Sequence, residues 1–226
     1  QTTMVTNGLQ MTKGARVPYP ERLAQGYCKV EDGRFIANVD AGKMLDVMTA
    51  FLVMHGEEEL CFFFLELPVD ELEERRLNSE ALKQPEITTS VNGVPMTGKV
   101  LFKTHVDVYY MDAMKLIEAV AVLHENQEVL INDGISEFGF GYQNGHEIQR
   151  GKYNVITIYG LDDDEAANFF DYFGIPHVED LTTAWDTFTQ DQPGQSSRYE
   201  HDGHTVFDLV DKYRDWGLYK AETRER

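Results

Sequence analysis

The chain has 226 residues, 42% hydrophobic and 12% aromatic, which is enough apolar surface for a sizeable core and excludes an intrinsically disordered chain. Its 39 acidic residues against 20 basic leave a formal net charge of -19. That balance argues against direct binding to nucleic acid or to anionic membranes, because both need Lys and Arg against phosphate.

The first 20 residues are polar and broken by Gly14, Pro18 and Pro20, so residues 1–20 read as a flexible arm. They contain no apolar h-region, and no uncleaved signal peptide is expected; Gln1 leaves open the earlier removal of one. Asp32-Gly33 between two part-apolar runs signals a hairpin. Asp40 is placed to cap a helix running to about His55, in which Met44, Leu45, Met48, Phe51 and Leu52 recur at helical spacing.

The apolar run from Leu60 to Leu67, ended by Pro68, reads as a central strand with Cys61 as a buried, inert thiol. With only one other cysteine, Cys28, the chain has no disulfide framework, and a cytoplasmic setting is expected. Asp70 to Lys83 reads as an exposed charged helix in which intrahelical ion pairs account for Arg75 and Arg76. Asn92-Gly93 marks a second hairpin, Val100 to Tyr110 a long strand, and Asp112 the start of an apolar helix from Ala113 to His124. Glu128 to Ile131 reads as a short strand, Asn144-Gly145 as a third hairpin, and Tyr153 to Tyr159 as a closing strand.

Beyond Leu161 the pattern predicts three helices and no strand. Ala166, Phe169, Phe170 and Phe173 share one helical face; so do Leu181, Ala184, Trp185 and Phe188, and so do Val206, Leu209, Val210 and Tyr213. The charged tail from Lys220 is expected to fray. Met44 to Leu67 and Met114 to Glu137 follow a common course of apolar helix, His, acids and apolar strand, which fits either an old duplication or two ordinary helix–strand units.

The expected architecture is α+β, or α/β. A mixed, mainly antiparallel sheet of six to eight strands is covered by the two apolar helices. Residues 21–160 would form the α/β main domain, and residues 161–226 an acidic helical subdomain packed on it.

The chain contains no phosphate loop, GxGxxG turn, GxSxG, HExxH or paired CxxC. Phe138-Gly139-Phe140-Gly141 reads as a strand with close backbone approach. His201, Asp202 and His204 are the metal-ligand candidates, against a plain solvated loop that leads into a helix. His105 and Asp107 lie two apart on a predicted strand, the minimum for an acid–base pair. Glu66 and Glu137 could pair as carboxylates, but their separation is not readable from sequence. No cofactor is expected.

One regional feature stands out from this background. From Gly151 onward there are 16 acidic residues against 7 basic, and no Lys or Arg occurs from Tyr153 to Ser197. The carboxylates Asp162, Asp163, Asp164, Glu165, Asp171, Glu179, Asp180 and Asp186, with the aromatics Tyr172 and Trp185, read as an acidic docking face for a basic protein. The expected function is therefore a non-enzymatic acidic binding module, in its most specific form a bacterial immunity or antitoxin protein that masks a basic toxin or nuclease. The alternatives are a metal-assisted hydrolase or other enzyme using a His/Asp site, and a structural or assembly protein of viral or secretion-machine origin.

Overall fold

The computed structural model describes residues 8–81, 83, 87–98 and 104–226. A two-residue strand, β1 (Ala15–Arg16), comes first. The hairpin of β2 (Gly26–Glu31) and β3 (Arg34–Asn38) follows, turned at Asp32-Gly33 with Gly33 at φ 75°. Helix α1 (Met44–Val53) leads through an acidic loop to β4 (Cys61–Pro68) and the charged helix α2 (Glu71–Ala81). Asn92-Gly93 turns a separate hairpin of β5 (Ile87–Val91) and β6 (Val94–Gly98).

Strand β7 (His105–Met114) runs into helices α3 (Leu116–Glu125) and α4 (Gln127–Asn132). Strands β8 (Glu137–Tyr142), β9 (Glu147–Arg150) and β10 (Val155–Tyr159) come next, with Asn144-Gly145 turning β8 into β9. The remainder holds α5 (Asp163–Tyr172), the short α6 (Ala184–Thr187), β11 (Gln195–Ser196), the short α7 (Asp208–Lys212) and β12 (Tyr219–Glu225).

Eight strands form one sheet in the order β12-β7-β4-β8-β9-β10-β3-β2, and every pairing in it is antiparallel. The fold is α+β. Strand β4 is a continuous apolar run because it is covered on both faces. Phe63 and Leu65 enter the main core beneath the helices, while Phe62 and Phe64 lie over Gly141 and Gly139 of β8 on the opposite face. No helix among the described residues is long and apolar enough to cross a membrane. Cys28 and Cys61 are buried free thiols, and burial pushes that of Cys61 up to about 11, which makes it a poor nucleophile at neutral pH.

Several elements differ from the sequence reading, each for a local reason. From residue 8 onward, the segment read as an arm is packed. Leu9, Thr12 and Ala15 are buried, β1 pairs with β11, and a Cβ on Gly14 would lie 2.4 Å from the Gly134 nitrogen. Residues 1–7 of that arm, and 100–103 of the predicted long strand, lie outside the described residues.

Asp112 sits within β7 instead of opening a helix; Lys115 is the N-cap of α3. Glu128 to Ile131 belongs to helix α4, because a four-residue apolar run does not distinguish strand from buried helix. This removes the parallel with Met44–Leu67, where the corresponding stretch is a strand. Asp40 does not cap α1, which is preceded by a 3-10 turn; its carboxylate accepts from the Gln10 amide at 2.8 Å instead.

The tail is strand β12, paired with β7 at the sheet edge. Its side chains are all exposed, so hydrophobic periodicity could not reveal it. Arg224 and Arg226 reach the buried Glu66, and Arg226 also meets Glu137 at 2.8 Å, so Glu66 and Glu137 pair through an arginine and not with each other. The C-terminal apolar residues Ala166, Phe169, Phe170, Leu209 and Tyr213 join the same core as α1 and the sheet.

Candidate docking face

Three helices lie side by side over the sheet. Phe51 of α1 meets Phe169 of α5 edge-on at 6.4 Å between centroids, and Lys43 before α1 donates to the Phe173 carbonyl after α5 at 2.9 Å. On its other side, Thr49 of α1 lies 2.8 Å from Nε2 of His124 on α3. The Thr49 hydroxyl already donates to the Leu45 carbonyl, so it accepts here and His124 Nε2–H donates.

The outward stripes follow helical spacing. Asp46, Ala50 and Val53 line α1; Ile117, Ala121 and His124 line α3; Asp164, Asn168, Asp171 and Tyr172 line α5. This surface is unusual in two respects. Large apolar groups stand in solvent: Val53 is 55% exposed, Ile117 75% and Tyr172 83%. In addition, no Lys or Arg occurs from Met44 to Glu74, from Leu116 to Gln149, or from Tyr153 to Ser197. These are the stretches that supply all three helices. The same helices carry the acids Asp46, Glu118, Glu125, Asp164 and Asp171, with Glu57, Glu58 and Glu59 beyond α1. The field is felt nearby: burial pushes the Tyr27 phenol up, and Asp171 and Asp163 push it further.

The residues read from sequence as the face divide between several tasks. Asp162 and Glu165 form the capping box of α5: the Asp162 carboxylate accepts the Glu165 amide at 2.8 Å, and this bond holds its carboxyl below the usual range. Asp163 pairs with Lys29 at 3.0 Å. Asp186 accepts from Thr183 at the start of α6. The Trp185 ring packs on Tyr153 and Phe188. Asp164, Asp171, Glu179 and Asp180 are exposed and make no ion pair among the described residues, and Tyr172 stands beside Asp171. The α1 and α3 contributions were missed in the sequence reading, although the same absence of basic residues was readable at both.

The other candidates do not assemble as expected. His105 Nδ1 lies 2.5 Å from Glu74 of α2, while Asp107 accepts from Thr223 at 2.5 Å, so no His105–Asp107 pair forms. His201 and His204 exchange backbone hydrogen bonds around Asp202-Gly203. Their rings approach separate carboxylates, His201 to Asp202 at 3.4 Å and His204 to Asp208 at 3.7 Å. Among the described residues, no group of three or more His, Cys, Asp or Glu is placed to hold a metal ion.

At the end of α1, His55 Nδ1–H donates to the Phe51 carbonyl at 2.8 Å, and its Nε2 accepts from His146 Nδ1 at 2.6 Å. The ring stacks on Tyr142 at 4.1 Å. Burial, assisted by the facing His146, holds His55 below its ordinary 6.5, while the Phe51 carbonyl, Glu59 and Glu165 pull the other way. A base depressed in the folded state stabilises fully above its unfolded value and loses that contribution as pH falls through the folded value. Thermal stability is therefore expected to hold above about pH 6.5 and fall as pH drops below it. The fall should flatten in His55→Phe, which keeps the stack and cannot titrate. Melting temperatures between pH 8 and pH 5 check this; an unchanged slope in the variant would remove His55 as the cause.

No family model matches the chain, and neither a curated protein nor a solved structure matches it.

Proposed function

We propose that this chain is a protein-binding module that docks a basic partner over the outer surface of α5, α1 and α3. The observation that carries the reading is the exposure of Val53, Ile117 and Tyr172 on three helices that carry acids and no Lys or Arg of their own. Solvent-facing apolar anchors of this size mark interaction surfaces, and unanswered like charges cost a little stability unless a cation meets them. Carboxylates beside apolar anchors give fast, salt-sensitive association with a cationic surface, while the anchors set its lifetime. In its most specific form this is an intracellular inhibitor of the immunity or antitoxin kind, covering the cationic site of a toxin or nuclease.

Affinity capture from the source lysate, at low and high salt, tests this. The wild-type chain is expected to retain a basic protein at low salt and to hold it less well at high salt. Asp164→Lys with Asp171→Lys is expected to weaken that capture about tenfold or more, and Tyr172→Ala to shorten the lifetime of the complex. Capture that is insensitive both to the reversals and to salt would overturn the reading.

A further inference from the structure

Beside the docking face, at His124 in the last turn of α3, the surface opens into a cleft of about 580 Å³ between the α3–α4 junction and the segment leading into α7. Its size lies within the range of ligand pockets. Val129 and Leu209, both buried, supply apolar lining. Carboxylates enter from both walls: Glu125 and Glu128 from the helix junction, Asp202 and Asp208 from the opposite side. His124, His201 and His204 also line it, with the His201 ring 4.0 Å from Glu128 and 3.4 Å from Asp202.

The lining contains one ammonium, that of Lys212, and it is tied back. It donates to Asn126 Oδ1 at 2.8 Å. Asn126 is itself buried, and its amide nitrogen donates to the Val122 carbonyl at 2.7 Å and meets the Tyr213 hydroxyl at 2.6 Å. This wall is therefore held by its own hydrogen bonds. The exposed Lys13 ammonium reaches Glu128 at 3.7 Å, so the four carboxylates face two cations.

We propose that the cleft receives the guanidinium of an arginine from the partner, an assignment that rests on the reading of the chain as a binder of a basic protein. Guanidinium fits this lining better than ammonium. Its planar fork can donate to carboxylates on opposite walls at once, and its face can stack on imidazole. The methylene stem would run over Val129 and Leu209. The cleft adjoins the face at His124, so one partner can cover the helices and insert the side chain beside them.

The test uses the full chain and small probes, N-acetyl-arginine methylamide against its neutral isostere N-acetyl-citrulline methylamide, followed by NMR. The arginine probe is expected to give saturable shifts at His124, His201 and Leu209 with millimolar affinity, and the citrulline probe to bind at least about tenfold more weakly. Glu128→Gln with Asp208→Asn, which remove the charge and keep one acceptor oxygen each, should reduce arginine affinity about tenfold. Glu71→Gln on the remote helix α2 should not change it. Equal binding of the two probes, shifts that map elsewhere, or no saturable shift would overturn the assignment. If the probe fails while Asp164→Lys with Asp171→Lys still abolishes partner capture, the cleft assignment falls and the docking face stands. If the probe binds as expected while those reversals leave capture unchanged, the docking face falls on its own test.

Discussion

Arg150→Ala is expected to lower the stability of the fold by about 3–5 kcal/mol, the range for truncating a large buried side chain and leaving its hydrogen-bond partners unpaired. Arg150 is 2% exposed, and its guanidinium lies 5.2 Å from the centre of the Phe138 ring. It donates to the Ser136 carbonyl and the Leu130 carbonyl, each at 2.7 Å, and to the Ser136 hydroxyl at 3.2 Å. These bonds join the end of α4 to the start of β8. Burial pulls the guanidinium down to about 10, with Asp133 and Glu137 acting against the shift, so it is still charged at neutral pH. Alanine would leave two buried carbonyls without these donors and open a void of side-chain size. Arg150→Lys keeps the charge but loses the fork and should fall between. Urea unfolding at neutral pH measures both; a loss below about 1 kcal/mol for Arg150→Ala would show that the network contributes little.

Gly139→Ala is expected to destabilise by roughly 3 kcal/mol, at the upper end for overpacking. Gly139 of β8 faces Phe64 of β4 across the register. A Cβ at Gly139 would lie 2.2 Å from the Ile148 carbonyl oxygen of β9 and 2.5 Å from Phe64 Cε1. The first contact is backbone, so strands β8 and β9 would have to shift. Gly141→Ala provides the comparison. The nearest atoms to its Cβ all belong to the Phe62 ring, with Cζ at 2.3 Å, and Phe62 is a half-buried side chain, 6.0 Å from the Tyr110 ring, that can turn more readily than a strand backbone can shift. It should therefore cost clearly less. Equal losses in the two variants would show that the backbone contact at Gly139 is not the controlling one.

Where structure is set by neighbours in the chain, the sequence is legible. Asp32-Gly33, Asn92-Gly93 and Asn144-Gly145 each turn a hairpin, because Gly can adopt the positive φ such turns need. The buried faces of α1 and α5 follow the apolar spacing of Met44, Met48, Phe51 and Leu52, and of Ala166, Phe169 and Phe170. Helix α4 was misread because Val129, Leu130 and Ile131 are buried together, and a run that short fits either element. Strand β12 was missed because it exists through pairing with β7 and through Glu66, which lies far away in sequence.

The functional surface divides along the same line. Composition and spacing alone determined an acidic α+β chain, one long C-terminal stretch without Lys or Arg, and the clustering of acids along α5. Only the tertiary structure decided that α1 lies between α5 and α3, so that exposed Val53, Ile117 and Tyr172 stand on three neighbouring helices without Lys or Arg. It also decided that Asp162, Glu165 and Asp186 serve helix starts and that His105 faces Glu74. The physical reason is range. Turns, helical faces and charge density are properties of a few consecutive residues, whereas a docking face or a cleft is made by core packing that brings distant segments together, and one sequence read in order does not show which segments those are.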